Sequence, residues 1–283
     1  KLGIDVFLTA NNHIFDKGAA GAKRTIDMFR ELGVKMTGIA EDQKMHDEAF
    51  PLIMECKGAS IAMLNVTYGT NAGIGKEWPK IMKLSEKEAM TEALAKAGTC
   101  DFVLILPHWG EEYILKHSAT QESYARWFVK QGADAIIGAH PHVIQDIQEI
   151  DGTPVFYSIG NAVSNMSAAN TQMELMVTLK IVRYHNGNIK LLEPEYELLW
   201  CSRPGGYCSS YTVLPVEEFI GTRSHCSTCT CVPLLPTRRV FMSYTTLSAL
   251  FSAFSAVAGF CVLSSFGFVA GADVGVSVPF AAA

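Results

Sequence analysis

Two histidines one residue apart, in Gly138-Ala139-His140-Pro141-His142, make up the stretch of this chain best suited to chemistry. The apolar run before them, Ala135-Ile136-Ile137, reads as a short buried strand, which puts the pair on the tight turn that follows. Pro141 restricts the backbone on both sides of the turn. Imidazoles held that rigidly bind a metal ion at little ordering cost, and histidine is the commonest metal ligand. Taken alone, the same five residues also read as a surface turn that happens to carry histidine. Two further clusters weigh against that. Asn12-His13 follows the strand-like residues 4–9, and His108 follows the strand-like residues 101–106. In open α/β sheets ligands collect outside the carboxyl ends of the strands. Asn12, His13, His108, His140 and His142, delivered to one sheet edge by three strands, form a metal-site pattern. Such donors suit Mn, Fe, Zn or Ni, and their softness does not choose among these. His46, His117, His185 and His225 read as ordinary partnered side chains.

The elements that must position these groups follow from the pattern. Residues 4–9 (IDVFLT) form a strand that stops at Ala10-Asn11-Asn12-His13. Residues 18–32 form a helix, with Ile26, Met28, Phe29 and Leu32 near helical spacing and Gly33 as its stop. Residues 34–38 are a short strand, 51–55 and 60–67 pair around Lys57-Gly58, and 71–79 is loop. Ser85-Glu86-Lys87-Glu88 has the form of a capping box that opens a helix to about Lys96. Residues 101–106 (DFVLIL) are a buried strand ending at Pro107-His108-Trp109-Gly110. Residues 119–131 are an amphipathic helix with Tyr124, Trp127 and Phe128 on its apolar side, and 134–137 are the next strand. Strand–helix–strand order implies a parallel pair with a crossover helix. Beyond it, 143–150, 154–159, 173–184 and 189–200 are strands with no helices between them. Asp151-Gly152 and Asn186-Gly187 mark hairpins. An α/β first half and an antiparallel second half fit a layered sandwich of sheets flanked by helices.

Composition sets the bounds. The 283 residues are 49% hydrophobic, enough for one large domain or two small ones. A net charge of -5 leaves no basic footprint for nucleic acid. Residues 223–283 differ from the rest. They carry Arg223, Arg238 and Arg239 against Asp273 alone, a net of +2, which leaves −7 on the first 222 residues. Within them, 247–270 is apolar enough to span a bilayer, for which about 20 residues suffice, but it is rich in Ser and Gly and lacks charged anchors. A membrane segment, a disordered tail and a non-native reading frame appended to a real domain all fit, and the abrupt break in composition favours the last. His225, Cys226, Cys229 and Cys231 offer only half of a zinc site. The expected organisation is one domain at 1–222 and an unassigned tail at 223–283. Cys56 and Cys100 alone precede residue 200, which is no disulfide framework. The chain opens on Lys1 directly before a strand, as a fragment whose N-terminus lies upstream would.

Four blocks carry a family resemblance. Asn11-Asn12-His13-Ile14-Phe15-Asp16-Lys17-Gly18, Pro107-His108-Trp109-Gly110-Glu111-Glu112-Tyr113, Gly138 to His142, and Phe156-Tyr157-Ser158-Ile159-Gly160-Asn161 appear in this order. They resemble the signature blocks of the bacterial capsule-synthesis CapA (poly-gamma-glutamate synthesis) family, itself similar to the calcineurin-like metallophosphatases. The likeness covers about residues 1–222. It implies an α/β fold, a four-layer α/β/β/α sandwich, N-terminally truncated here, with a centre of two divalent metal ions. It makes Asn12, His108, His140 and His142 metal ligands and His13 the catalytic acid just outside them. Asp16 either orients His13 or caps the following helix, and Glu112 stands behind the ligands or is a solvated loop carboxylate. The family's early carboxylates, in a Gly-Asp and an Asn-Leu-Glu motif, would precede Lys1. Ala162 stands where the family often has an aromatic residue, a minor departure.

The chemistry so implied is hydrolytic. Paired metal ions lower the pKa of a bridging water and clamp substrate oxygens, and His13 protonates the leaving oxygen. The expected partner is an anionic polymer or phosphoester substrate, with no nucleic acid, membrane association left open, and an extracytoplasmic place at the cell envelope implied by the resemblance. A polymer-binding or export module without catalysis, and a membrane anchor resting on 247–270, are the competing readings.

Overall fold

The computed structural model describes residues 4–203, 211–217, 261–264 and 274–282. The chain begins with β1 (Ile4–Leu8), α1 (Gly18–Leu32), β2 (Lys35–Thr37), α2 (Gln43–Ala49), β3 (Leu52–Cys56) and β4 (Ala59–Thr67). Then come α3 (Lys87–Ala97), β5 (Phe102–His108), α4 (Ala119–Lys130) and β6 (Ala135–Ile137). The hairpin β7 (Ile147–Ile150) and β8 (Thr153–Phe156) leads to β9 (Met173–Arg183), β10 (Ile189–Leu191), β11 (Glu195–Ser202) and β12 (Thr212–Pro215). Two last strands are β13 (Cys261–Ser264) and β14 (Val274–Ala282). The fold class is mixed α/β, as the pattern predicts.

A strand with no polar position must be covered on both faces. All of β5 is buried, and it lies inside a six-stranded sheet of order β3-β4-β5-β6-β8-β7. β4, β5, β6 and β8 run parallel, with β3 and β7 antiparallel at the edges. Side chains alternate between the faces. Ile61, Met63, Leu104 and Leu106 face a core shared with Val6 and Leu8 of β1 and with Leu175, Val177, Leu179 and Ile181 of β9. Ala62, Leu64 and Ile105 face the other way, into a core with Met90 and Leu94 of α3 and Ala125 and Phe128 of α4. The crossover from β5 through α4 to β6 is parallel, as expected.

The second sheet has eight strands, in the order β12-β11-β9-β14-β13-β1-β2 with β10 beside β9. α1 lays Phe29 on Phe7 of β1, with ring centroids 4.6 Å apart. Within the stretch read as an unassigned tail, β13 pairs with β1 and β14 with β9. The rest of 223–260, including His225, Cys226, Cys229 and Cys231, lies outside the described residues, as does most of 247–270. Among the described residues no helix is long and apolar enough to cross a membrane.

Several expectations shift. α1 keeps its expected bounds and ends at Gly33, whose φ of 64° is the left-handed stop, but Leu32 is half exposed. The capping box expected at Ser85 does not form. α3 begins at Lys87 with Glu86 at the cap position, one residue too late for Ser85, and the Glu86 carboxylate accepts from the Lys83 N–H at 2.8 Å. The box forms on α4 instead, between Ser118 and Gln121. α2 has no counterpart in the pattern reading; Asp42 caps it, accepting from the Met45 N–H at 2.8 Å. The strand expected over 189–200 is split into β10 and β11 around Pro194, which has no N–H for the ladder.

Candidate metal centre

The site is built where β1, β4, β5 and β6 end. His108 is the last residue of β5, and its backbone carbonyl accepts from the Tyr68 N–H at 2.9 Å, just past β4. The turn after β6 is held on both sides. Gly138 donates to Phe156 O at 2.7 Å, and Ala139 O accepts from the Trp109 N–H at 2.9 Å. Only glycine fits at 138, since a Cβ there would lie 2.2 Å from Tyr157 O and 2.4 Å from Trp109 Nε1. His140 and His142 then adopt φ of 107° and 61°, conformations that L side chains avoid and that cost about 1–3 kcal/mol each. The five apolar side chains of β5 beside them contribute on the order of 10 kcal/mol gross by burial, so the strands over-determine the strained turn.

The side chains converge. Asn12 Oδ1 lies 2.9 Å from His108 Nε2. The rings of His108 and His140 are 4.8 Å apart between centroids, and those of His140 and His142 6.0 Å. Glu112, His140 and His142 each offer a ligand atom, and these three atoms lie within 4.8 Å of one another. Tyr113 N–H donates to Pro141 O at 2.8 Å, which ties the Glu112 loop to the histidine turn. Glu112, expected behind the ligands or as a solvated loop carboxylate, is exposed and lies beside His140 and His142.

Hydrogen bonds decide which nitrogen faces the pocket. Asn161 Nδ2 donates to His142 O at 3.1 Å and to Thr171 O at 3.0 Å, so its Oδ1 must face the ring. That oxygen lies 3.0 Å from His142 Nδ1. His142 therefore carries its proton on Nδ1 and keeps the Nε2 lone pair free, the usual arrangement of a histidine ligand. His140 Nδ1 is buried with no hydrogen-bond partner. Burial, then the neighbouring histidines, hold the His108 imidazole well below its ordinary pKa. Burial chiefly, with His142 also pushing down and Glu112 pushing up, brings His140 to about 4. Both rings are neutral at physiological pH, which metal ligation requires. An orphaned buried nitrogen, neutral imidazoles, an amide oxygen and one carboxylate form a donor set that a divalent cation fits.

His13 sits at the margin. Its Nδ1 is 2.7 Å from Asp16 Oδ2, and Asn71 Nδ2 is 3.5 Å from the same nitrogen. Asp16 orients the ring and does not cap α1, whose cap residue is Lys17 with no side-chain bond. Four residues that pattern reasoning left without a role complete the pocket. Tyr68 lies over the imidazoles, 4.7 Å from His140 and 6.4 Å from His108 between centroids. Asn71 accepts from Asn12 Nδ2 at 3.3 Å and so aims the Asn12 oxygen at His108. Asn161 sets the His142 tautomer. Asn65 Oδ1 accepts from the Ala10 N–H at 2.8 Å, while Asn65 Nδ2 donates to Leu106 O at 2.7 Å, joining the two sheets below the pocket. Signals for them were present. Tyr68 and Asn71 follow a strand end, and Asn65 is a polar residue inside an apolar strand.

Fold and site together define a mixed α/β protein with a histidine-rich pocket, suited to a divalent metal, at the carboxyl ends of its strands. Residues 1–166 match the family described as bacterial capsule synthesis protein PGA_cap, and the chain belongs to that family. It is 35% identical over 182 residues to the capsule biosynthesis protein CapA of Bacillus anthracis, a match covering 62% of this chain and 44% of that one. It is 28% identical over 193 residues to the PGA biosynthesis protein CapA of Bacillus subtilis (strain 168), covering 67% and 50%. The chain thus spans about half the length of these relatives.

Proposed function

We propose that this chain is the metal-binding part of a hydrolase acting on an envelope polymer or a related phosphoester, on a four-layer α/β/β/α sandwich with a place outside the cytoplasm. The layering is supported by the core between the sheets, by α3 and α4 on one outer face, and by α1 against β1 on the other. The observation that carries the function is the convergence of Asn12, His108, His140, His142 and Glu112 around the unbonded His140 nitrogen. The family's part in capsule synthesis supports the polymer as substrate and the envelope as location.

Two divalent ions bound there, of Mn, Fe, Zn or Ni, would supply Lewis acidity and a nucleophilic water at neutral pH. The chain's own groups do the rest. Asp16 holds His13 Nδ1 and leaves Nε2 to give a proton to the leaving oxygen. Tyr68 lies against the imidazoles of His140 and His108, with its ring partly exposed at the pocket's rim.

The test is metal content by elemental analysis together with turnover of p-nitrophenyl phosphate, with His140→Ala as the control. Metal in the parent chain, turnover that depends on it, and loss of both in the variant are expected. A chain that binds no divalent ion overturns the proposal. A chain that binds metal without turnover supports instead a non-catalytic polymer-binding or export module on the same fold. The single carboxylate in the cluster of described residues favours this second reading.

A further inference from the structure

The pocket is built for a cation and is short of donors. Its groups are imidazoles, the Asn12 amide oxygen and the Glu112 carboxylate. An anionic oxygen arriving there meets lone pairs and a negative charge. Among the described residues, the charged groups that act on His140 are His142, Glu112 and His13, with no lysine or arginine among them. His13 stands at the margin, its Nδ1 held by Asp16. A further donor to such an oxygen must come from a neutral side chain.

Two phenols stand at the rim, Tyr68 and Tyr113, both partly exposed. Each lies against a ring of the cluster. Tyr68 is 4.7 Å from His140 between centroids, and Tyr113 is 6.1 Å from His142. Their hydroxyls differ. Burial, then the Glu112 charge, pushes both pKa values up, and Tyr113 also gives its O–H to the Glu112 carboxylate. The Tyr68 hydroxyl meets the Asn12 amide instead, a contact that pulls its pKa down. A contact of that sign directs an N–H at the phenol oxygen, so the Tyr68 O–H keeps its proton to donate elsewhere. The backbone beneath it is fixed. Tyr68 N–H donates to His108 O at 2.9 Å, and the hydroxyl of the preceding Thr67 donates to Gly69 O at 3.0 Å. A donor held in place before the reaction loses little to reorganisation during it.

We propose that the Tyr68 hydroxyl donates a hydrogen bond to an oxyanion bound at the histidine cluster. A phenol is neutral and protonated at neutral pH. It therefore adds a donor without adding a positive charge that would oppose a divalent ion. In turnover the anion is the substrate oxygen that gains charge as water attacks. That assignment rests on the hydrolase reading; the binding of an oxyanion through Tyr68 does not.

The experiment follows inorganic phosphate binding by calorimetry on the full chain loaded with manganese. Metal content and p-nitrophenyl phosphate turnover are measured on the same samples. Tyr68→Phe is expected to weaken phosphate about tenfold and to lower kcat/KM about 10²-fold, with kcat falling more than KM rises. Its metal content should equal the parent's. Tyr196→Phe, which removes the hydroxyl of an exposed tyrosine on β11, is expected to match the parent throughout. A parent that binds no phosphate, a Tyr68→Phe chain that binds it as the parent does, or an equal loss in Tyr196→Phe overturns the inference. So does loss of metal in Tyr68→Phe, which would make the hydroxyl a support for Asn12. Phosphate held through Tyr68 in a chain without turnover keeps the inference and removes the hydrolase reading. Turnover and phosphate affinity that Tyr68→Phe leaves intact do the reverse.

Discussion

His117 and His140 are both largely buried imidazoles, and they have opposite surroundings. His117 is saturated. Its Nδ1 lies 2.8 Å from Asp146 Oδ2, its backbone N–H donates to Asp146 Oδ1 at 3.0 Å, and its Nε2 is 3.7 Å from Glu122. The ring stacks on Tyr157 at 3.8 Å. His140 faces other histidines and has a nitrogen with no partner at all. Carboxylates around an imidazole use up its capacity and fix a loop in place. Imidazoles around an imidazole keep each other neutral and leave lone pairs to spare. His140 thus differs from His117 in the state of its second nitrogen, and His46, whose Nδ1 is likewise buried without a hydrogen-bond partner, differs from His140 in having no other histidine beside it among the described residues.

The sharpest way to break this contrast is at the pocket's edge. His13→Ala is expected to lower turnover by about 10²–10⁴-fold while metal content stays at the parent level. A loss of metal in this variant would move His13 among the ligands. Next, Asn161→Ala frees the His142 ring to turn, and metal affinity by calorimetry should fall about 10–100-fold. An unchanged affinity would mean that the Nδ1 bond does not set the tautomer. His117→Ala should leave metal affinity alone and lower unfolding free energy by about 1–3 kcal/mol, read by denaturant titration. A change in affinity there would erase the distinction between the two histidines.

The smallest effect is on acid stability. Burial pushes the Asp146 carboxyl up, but the N–H groups of His117 outweigh it and hold the pKa below the ordinary value. A carboxylate depressed on folding contributes stability above its unfolded pKa, about 3.9, and loses it as pH falls through the folded value. Asp146→Asn should therefore weaken the protein at neutral pH and flatten the pH dependence below about pH 4. Denaturation curves at several acid pH values check this; an unflattened profile assigns the acid transition to other groups.

The contrast also marks what could be read from the chain beforehand. β5 was legible because an unbroken apolar run has one solution, a doubly covered strand, and the strand-end rule then located His108, His140 and His142. Asn12 came from the same rule. The closeness of Glu112 to His140 and His142 was not legible, because its loop is tied to the histidine turn by the Tyr113–Pro141 hydrogen bond, which no spacing in the sequence reveals. His117 was rightly set aside as partnered, though Asp146 is 29 residues away and could not be named. Tyr68 and Asn71 were lost for a different reason. They follow a strand that ends in loop, and their contacts are distant in sequence: Asn71 reaches back 59 residues to Asn12, and Tyr68 reaches forward to His108 and His140. α2 was missed because seven residues carry too little periodicity, although Asp42 marked its start.

Asn65 has a consequence for how the pocket keeps its shape. Its amide grips Ala10, two residues before Asn12, and Leu106, two residues before His108. That one side chain acts as a spacer bar. The 2.9 Å approach of the Asn12 oxygen to the His108 nitrogen is thus carried from beneath, by a side chain that lines neither group's pocket face.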